Sequence, residues 1–203
     1  TDVPLFAWLV GSRRAEIEAL APCYIRAAAK VRQQISQAVF AVPLIDHESE
    51  KLFQQYVTQL APELHTAFRY YVRQASTVLC AADVGLIASG TATLEAALWG
   101  CPHIITYKIS ALSWWLAQRK TYLPYVGLPN ILAQRWIVPE YLQKAANPES
   151  LAQAVLALWH DPTAQTAQRA AFAQLHTQLR QNTASTAAKA VIALLQARGK
   201  ITS

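Results

Sequence analysis

Val84-Gly85-Leu86-Ile87-Ala88 runs directly into Ser89-Gly90-Thr91-Ala92-Thr93-Leu94-Glu95, and that junction decides the fold. Residues 84–88 form an apolar run of strand length, and residues 91–99 read as a helix. Between them lies a turn of small residues. Strand, tight turn and helix opening leave unpaired backbone N–H groups and a positive dipole end at the strand's carboxyl end, which suits a phosphate. Gly90 lets a ligand approach the backbone closely, and Ser89, Thr91 and Thr93 add hydroxyl donors. Glu95 stands four residues past Thr91 on the same helical face. A carboxylate there would repel a phosphate, so in a site it would accept from sugar hydroxyls. The combination points to a nucleotide-sugar diphosphate. The same residues also make a plain βα turn with a Ser or Thr helix cap, and spacing alone leaves both readings open.

Outward from this junction the strand–helix alternation repeats. Residues 6–10 form an apolar run closed by Gly11-Ser12-Arg13. Residues 14–34 then carry Ile17, Leu20, Ala21, Tyr24, Ile25, Ala28 and Val31 at helical spacing. Residues 38–45 read as a second strand and 49–60 as a second helix. Residues 67–72 read as a third strand or as the start of the next helix, and 75–82 as a short helix. Gly100 and Pro102 punctuate the chain before a strand at 103–107. The expected fold class is α/β: an open, Rossmann-like parallel sheet with helices on both faces. Ligands of such sheets bind beyond the carboxyl ends of the strands. The turns at 11–13 and 89–91 both fall there, so they can converge on one crevice. Arg13 could clamp a diphosphate through its planar guanidinium, or simply be a solvated arginine.

Past residue 107 the pattern changes. Residues 110–120 read as a helix bearing Trp114, Trp115, Arg119 and Lys120. Aromatics beside cations fit a helix lying in a membrane interface, but the tryptophans could equally be core and the cations helix-end partners. Residues 125–130 read as a last short strand and turn, with Asn130 facing a ligand or serving the turn itself. Asn147-Pro148-Glu149 is a helix start that runs to about residue 159, and Asp161-Pro162 repeats the device. Helices at 163–180 and 183–198 end the chain. Their apolar stripes (Ala171, Leu175, Leu179; Ala187, Val191, Leu194, Leu195) must pack on this domain, on another domain, or on a second copy. The expected organisation is a sheet domain over 1–146 and a helical segment over 147–203.

Composition narrows the classes. Hydrophobic residues are 53% and charged residues 15% of the 203, which describes a globular chain. The formal net charge of +6 favours anionic partners, but no dense Lys/Arg block occurs, so nucleic acid is not expected. Cys23, Cys80 and Cys101 are far apart in apolar surroundings and read as reduced core residues. The five histidines are scattered without metal-ligand spacing. No nucleophile elbow, Walker loop or G-x-G-x-x-G occurs. The sequence contains no methionine, which leads us to expect a piece of a longer polypeptide.

Ser89-Gly90-Thr91-Ala92-Thr93-Leu94-Glu95-Ala96, Cys101-Pro102, Tyr107-Lys108, Trp115-Leu116-Ala117, Arg119, Tyr125-Val126, Leu128-Pro129-Asn130 and Leu132-Ala133 together resemble the C-terminal half of the lipid-A-disaccharide synthase family. Gly11-Ser12-Arg13 with Glu16-Ile17 resembles that family's glycine-serine-arginine turn. The likeness covers nearly the whole chain. It implies the nucleotide-binding half of a GT-B glycosyltransferase that joins UDP-2,3-diacylglucosamine to 2,3-diacylglucosamine 1-phosphate and releases UDP. Ser89, Gly90, Thr91 and Thr93 would hold the diphosphate and Glu95 the ribose. Arg13 and Asn130 match family positions tied to nucleotide binding or activity. No catalytic residue falls in this chain, because the family's aspartate base and acceptor site belong to its N-terminal domain. No cofactor is implied. Trp114, Trp115, Arg119 and Lys120 would rest on the cytoplasmic face of the inner membrane, giving a cytoplasmic, peripheral location. Members that exchange C-terminal helices make homodimers. One departure is Val10, where the family usually has a proline that would stiffen the turn. The residues themselves also fit another UDP-sugar enzyme of the same architecture, such as an epimerase, or a non-catalytic nucleotide-sugar or lipid-surface module.

Overall fold

The structure is a computed structural model that describes residues 3–109 and 124–198. Strands that are apolar on both sides need cover on both sides, and that requirement sets the layers. The strands are β1 (Leu5–Leu9), β2 (Val39–Leu44), β3 (Phe68–Val72), β4 (Val84–Ala88), β5 (His103–Tyr107) and β6 (Glu140–Leu142). They lie in the order β3-β2-β1-β4-β5-β6, and every neighbouring pair is parallel. The helices are α1 (Arg14–Gln34), α2 (His47–Leu60), α3 (Ala75–Ala81), α4 (Thr91–Leu98), α5 (Leu128–Ala133), α6 (Pro148–Trp159), α7 (Pro162–Leu179) and α8 (Thr183–Ala197). The α/β fold expected from the sequence is therefore the fold found.

Side-chain alternation along the strands sorts the core into two faces. Phe6, Trp8, Phe40, Val42, Val84 and Leu86 pack with α1, α2 and α6. Ala7, Leu9, Ala41 and Ile87 pack instead with Val78 and Leu79 of α3 and Ala96 of α4. Rings in contact run across the first face, with Trp8–Phe40 and Phe40–Phe68 centroids 4.8 and 5.3 Å apart. The second face carries alanines, so the short helices that start at the site sit close to the sheet. Trp8 Nε1 donates to the Tyr24 carbonyl at 3.1 Å, and the Tyr24 hydroxyl bonds Thr106 Oγ1 at 2.6 Å, tying α1 to β1 and β5.

Caps set the helix boundaries. Asp46 accepts from Ser49 N at 2.8 Å, so α2 begins at His47, ahead of the expected residue 49. Asn147 and Asp161 cap α6 and α7 by accepting from Ser150 N and Ala164 N. The strand expected at 125–130 does not form. Pro129 falls in the first turn of α5, where a missing N–H costs nothing, and the last strand is the three-residue β6 further on. α6 buries Leu151, Val155 and Leu158 in the main core. α7 sends Phe172 onto His103, with ring centroids 5.3 Å apart. On α8, Val191, Ile192 and Leu194 are exposed.

A side chain completes the sheet where β6 is too short. β6 pairs with β5 only from Ile105 onward. At His103, the Gln168 amide of α7 accepts from the backbone N–H at 2.9 Å and donates to the carbonyl at 3.2 Å, as a neighbouring strand would. Gln168→Leu would strand both groups in a buried site, and we expect it to cost about 2–4 kcal/mol in chemical denaturation. The His103 ring is fully buried, and that burial pushes its pKa from 6.5 down to about 4. Between those values the unfolded chain binds a proton that the folded chain refuses. Stability should therefore rise with pH across about 4 to 6.5 by up to about 1.4 kcal/mol per pH unit from this group. His103→Leu should remove that component of the slope, whatever it does to stability overall.

Candidate functional site

Consecutive strands depart in opposite directions on either side of the β1–β4 pair, and the loops that leave their carboxyl ends part to form a crevice there. Its volume is about 580 Å³. Gly11 to Arg13 and Glu16 form one wall, the end of β2 with Arg73 and Ser76 a second, and residues 88–92 with Glu95 a third. The two turns singled out in the sequence thus meet in one place.

In the first turn, Gly11 has φ +101, and a Cβ there would lie 2.4 Å from Glu16 Oε2. The space is taken because the Glu16 carboxylate folds back over the turn. It accepts from Ser12 N at 2.9 Å and Arg13 N at 3.2 Å. Arg13 pairs with the same carboxylate at 3.1 Å, and its side chain is 83% exposed. An ion pair so open to water is worth little, so the guanidinium can leave it for a ligand.

The second turn is built differently. Gly90 is the residue before α4 at φ 153, no side chain caps the helix, and a Cβ on Gly90 would meet nothing within 4 Å. The helix start therefore opens onto unfilled space, with its first N–H groups available. Thr91 is exposed beside it, and Glu95 is half-buried in the lining with no carboxylate partner among the described residues. Thr93 is buried and donates to the Gly90 carbonyl at 2.8 Å, so its hydroxyl shapes the turn and does not line the crevice. Ser89 lines the crevice, but its hydroxyl donates to the Val126 carbonyl at 3.1 Å. Asn130 is buried away from the crevice. It accepts from Ile137 N and Val138 N and donates to the Val138 carbonyl and Glu140. Trp114, Trp115, Arg119 and Lys120 lie outside the described residues.

Two residues missed in the sequence matter here. Arg73 follows β3 at φ 57, its N–H bonded to Leu44 O at 2.8 Å and its Nε to Ile45 O at 3.2 Å. It brings a second guanidinium to the crevice. The signal was an arginine just past a strand's carboxyl end, one residue beyond β3 where Arg13 stands four beyond β1, but the third strand was not read firmly enough to use it. Glu140 accepts from Val126 N and Gly127 N at 2.9 Å each, and from Asn130 at 2.8 Å. It fixes the segment that receives the Ser89 hydroxyl. No sequence signal marks it.

The crevice can take an anion at the α4 N-terminus between Arg13 and Arg73, and a hydroxyl-rich group at Glu95. Its described lining holds no nucleophile with an adjacent base. Among the described residues no group of three or more His, Cys, Asp or Glu side chains is placed to hold a metal.

The profile of the lipid-A-disaccharide synthetase family matches residues 1–191. The chain belongs to the lipid-A-disaccharide synthase family. The family's enzyme from Dechloromonas aromatica is 47% identical over 196 residues, covering 96% of this chain and 51% of that protein. The Chromobacterium violaceum enzyme is 42% identical over 190 residues, covering 94% and 49%. The chain thus spans about half the length of these curated relatives. Among solved structures, a Listeria monocytogenes protein named as a UDP-N-acetylglucosamine 2-epimerase superposes with a TM-score of 0.58 at 12% identity, over 83% of this chain and 39% of that one. A Thermobaculum terrenum O-GlcNAc transferase gives 0.52 at 15%, over 89% and 33%. At such identities the likeness is one of fold, a parallel α/β sheet of the kind found in GT-B enzymes.

Glu140→Gln keeps the shape but replaces one acceptor oxygen with an N–H2 facing backbone N–H donors. We expect a loss of about 1–3 kcal/mol and faster hydrogen exchange at the Val126 and Gly127 amides.

Proposed function

We propose that this chain is the donor-binding half of a glycosyltransferase of lipid A biosynthesis. The full enzyme would move 2,3-diacylglucosamine from UDP-2,3-diacylglucosamine to 2,3-diacylglucosamine 1-phosphate. The observation that carries this reading is the uncapped start of α4, open at Gly90 and flanked by Arg13 on one side and Glu95 on the other. The UDP diphosphate lies over Gly90 and Thr91, where backbone N–H groups and the helix dipole meet it. Arg13 leaves Glu16 to clamp it, and Glu95 accepts from the ribose hydroxyls. Ser89, Thr93 and Asn130 act through the backbone segments they hold.

In the transfer, an acceptor hydroxyl attacks the anomeric carbon, a base takes its proton, and UDP departs with the bonding pair. This half supplies stabilisation of the leaving diphosphate, which grows in value as negative charge develops. The base falls to the other half of the protein, which supplies most of the acceptor pocket. Trp114, Trp115, Arg119 and Lys120 suit a helix that rests on the cytoplasmic membrane face and admits acylated substrates. The exposed Val191, Ile192 and Leu194 suit a homodimer built through the C-terminal helices.

Calorimetric titration of UDP tests the site. The chain should bind UDP, and Arg13→Ala/Glu95→Ala should weaken binding at least tenfold without changing the circular dichroism spectrum. Equal affinity in the double variant would put the nucleotide elsewhere. Alone, the chain should form no disaccharide; turnover by it would place a base within these residues.

A further inference from the structure

The crevice leaves a second group of cations unused. Arg26 of α1, Lys108 just past β5 and Lys144 just past β6 line a separate cavity of about 640 Å³. No Asp or Glu lines it among the described residues, and none of the three cations is in an ion pair there. Their field reaches the cavity wall: Lys108 and Arg26 both act on the Cys23 thiol, opposing the rise that burial causes. The α6 N-terminus at Asn147-Pro148 adds its positive end.

The same cavity is lined by Gln143, and Gln143 is anomalous twice over. Its Nε2 is buried with no hydrogen-bond partner among the described residues, and its backbone sits at φ 51, a conformation glutamine rarely adopts. Unsatisfied buried donors and strained backbone cluster at ligand-binding sites. Three unpaired cations and an unpaired amide donor ask for an oxyanion. Lys108 and Gln143 follow the carboxyl ends of β5 and β6, so this cavity lies at the same end of the sheet as the crevice, displaced toward the other edge.

We propose that this cavity binds a phosphate group, held by Arg26, Lys108, Lys144 and the Gln143 amide. Two sources carry that chemistry. One is the phosphate of a sugar-phosphate acceptor, a choice that rests on the transferase reading. The other is the head group of an anionic phospholipid, which does not.

The test follows the Gln143 side-chain amide by NMR while inorganic phosphate or glucosamine 1-phosphate is added. Co-sedimentation with phosphatidylglycerol or phosphatidylcholine vesicles runs in parallel. Both soluble probes should shift the Gln143 amide, and Lys108→Gln/Lys144→Gln should weaken that binding at least tenfold while UDP affinity stays the same. Tighter binding of glucosamine 1-phosphate than of phosphate assigns the site to the acceptor. Equal binding of the two, with sedimentation on phosphatidylglycerol alone that the double variant abolishes, assigns it to a head group. A Gln143 response in a chain that fails to bind UDP would leave this site standing and remove the donor-site reading. A Gln143 amide that answers neither soluble probe, or equal affinity in the double variant, overturns the proposal.

Discussion

Two loops flank the crevice, and a single carboxylate holds each. Glu16 takes the N–H groups of Ser12 and Arg13, and Glu140 takes those of Val126 and Gly127. In both places a glycine stands where a Cβ would press on that carboxylate, 2.4 Å away at Gly11 and 3.1 Å at Gly127. A carboxylate that accepts two consecutive backbone donors converts a floppy strand exit into a fixed shelf. The Glu140 shelf receives the Ser89 hydroxyl, so the geometry beside Gly90 is anchored through a strand only three residues long. The site's rigidity is thus imported from the far edge of the sheet.

The central sheet was legible because β1 and β4 are buried on both faces and so read as unbroken apolar runs, while Gly100 and Pro102 marked the start of β5. Helix starts were legible at Asn147-Pro148 and Asp161-Pro162, where cap and proline coincide, but not at Asp46 or Pro129. The segment 124–142 was not. Its helix has six residues and its strand three, too few for any period to emerge, and Tyr125-Val126 mimics a strand. The residues proposed for the site divide along the same line. Gly90, Thr91, Arg13 and Glu95 depend on position at a strand end, which the alternation supplies. What Ser89, Thr93 and Asn130 do depends on which carbonyl or N–H lies within reach, and hydroxyls and amides serve the backbone as readily as a ligand. Arg73 depends on a left-handed backbone at a non-glycine residue, which no local pattern announces.

The two cavities lie at one end of the sheet. Both open where strands terminate, and each gathers cations that have no internal counter-charge or only a weakly held one. Two arginines face two glutamates in the crevice, whereas Arg26, Lys108 and Lys144 line the second cavity without an acidic residue among the described lining. A second surface laid against this end would meet two polar cavities at a fixed spacing. That is a demanding arrangement to satisfy by chance, and a natural one for two reacting partners.

Gln168 has a mechanical consequence for the chain's tail. Its amide replaces a strand at His103, and Phe172 stacks on the same residue one turn later. α7 is thereby latched to the sheet by backbone groups that have no other partner, while α8 shows its apolar residues to solvent. If the tail passes to a second copy, the latch dictates where the chain parts. The hinge falls at residues 180–182, between α7 and α8, and only the last helix is free to travel.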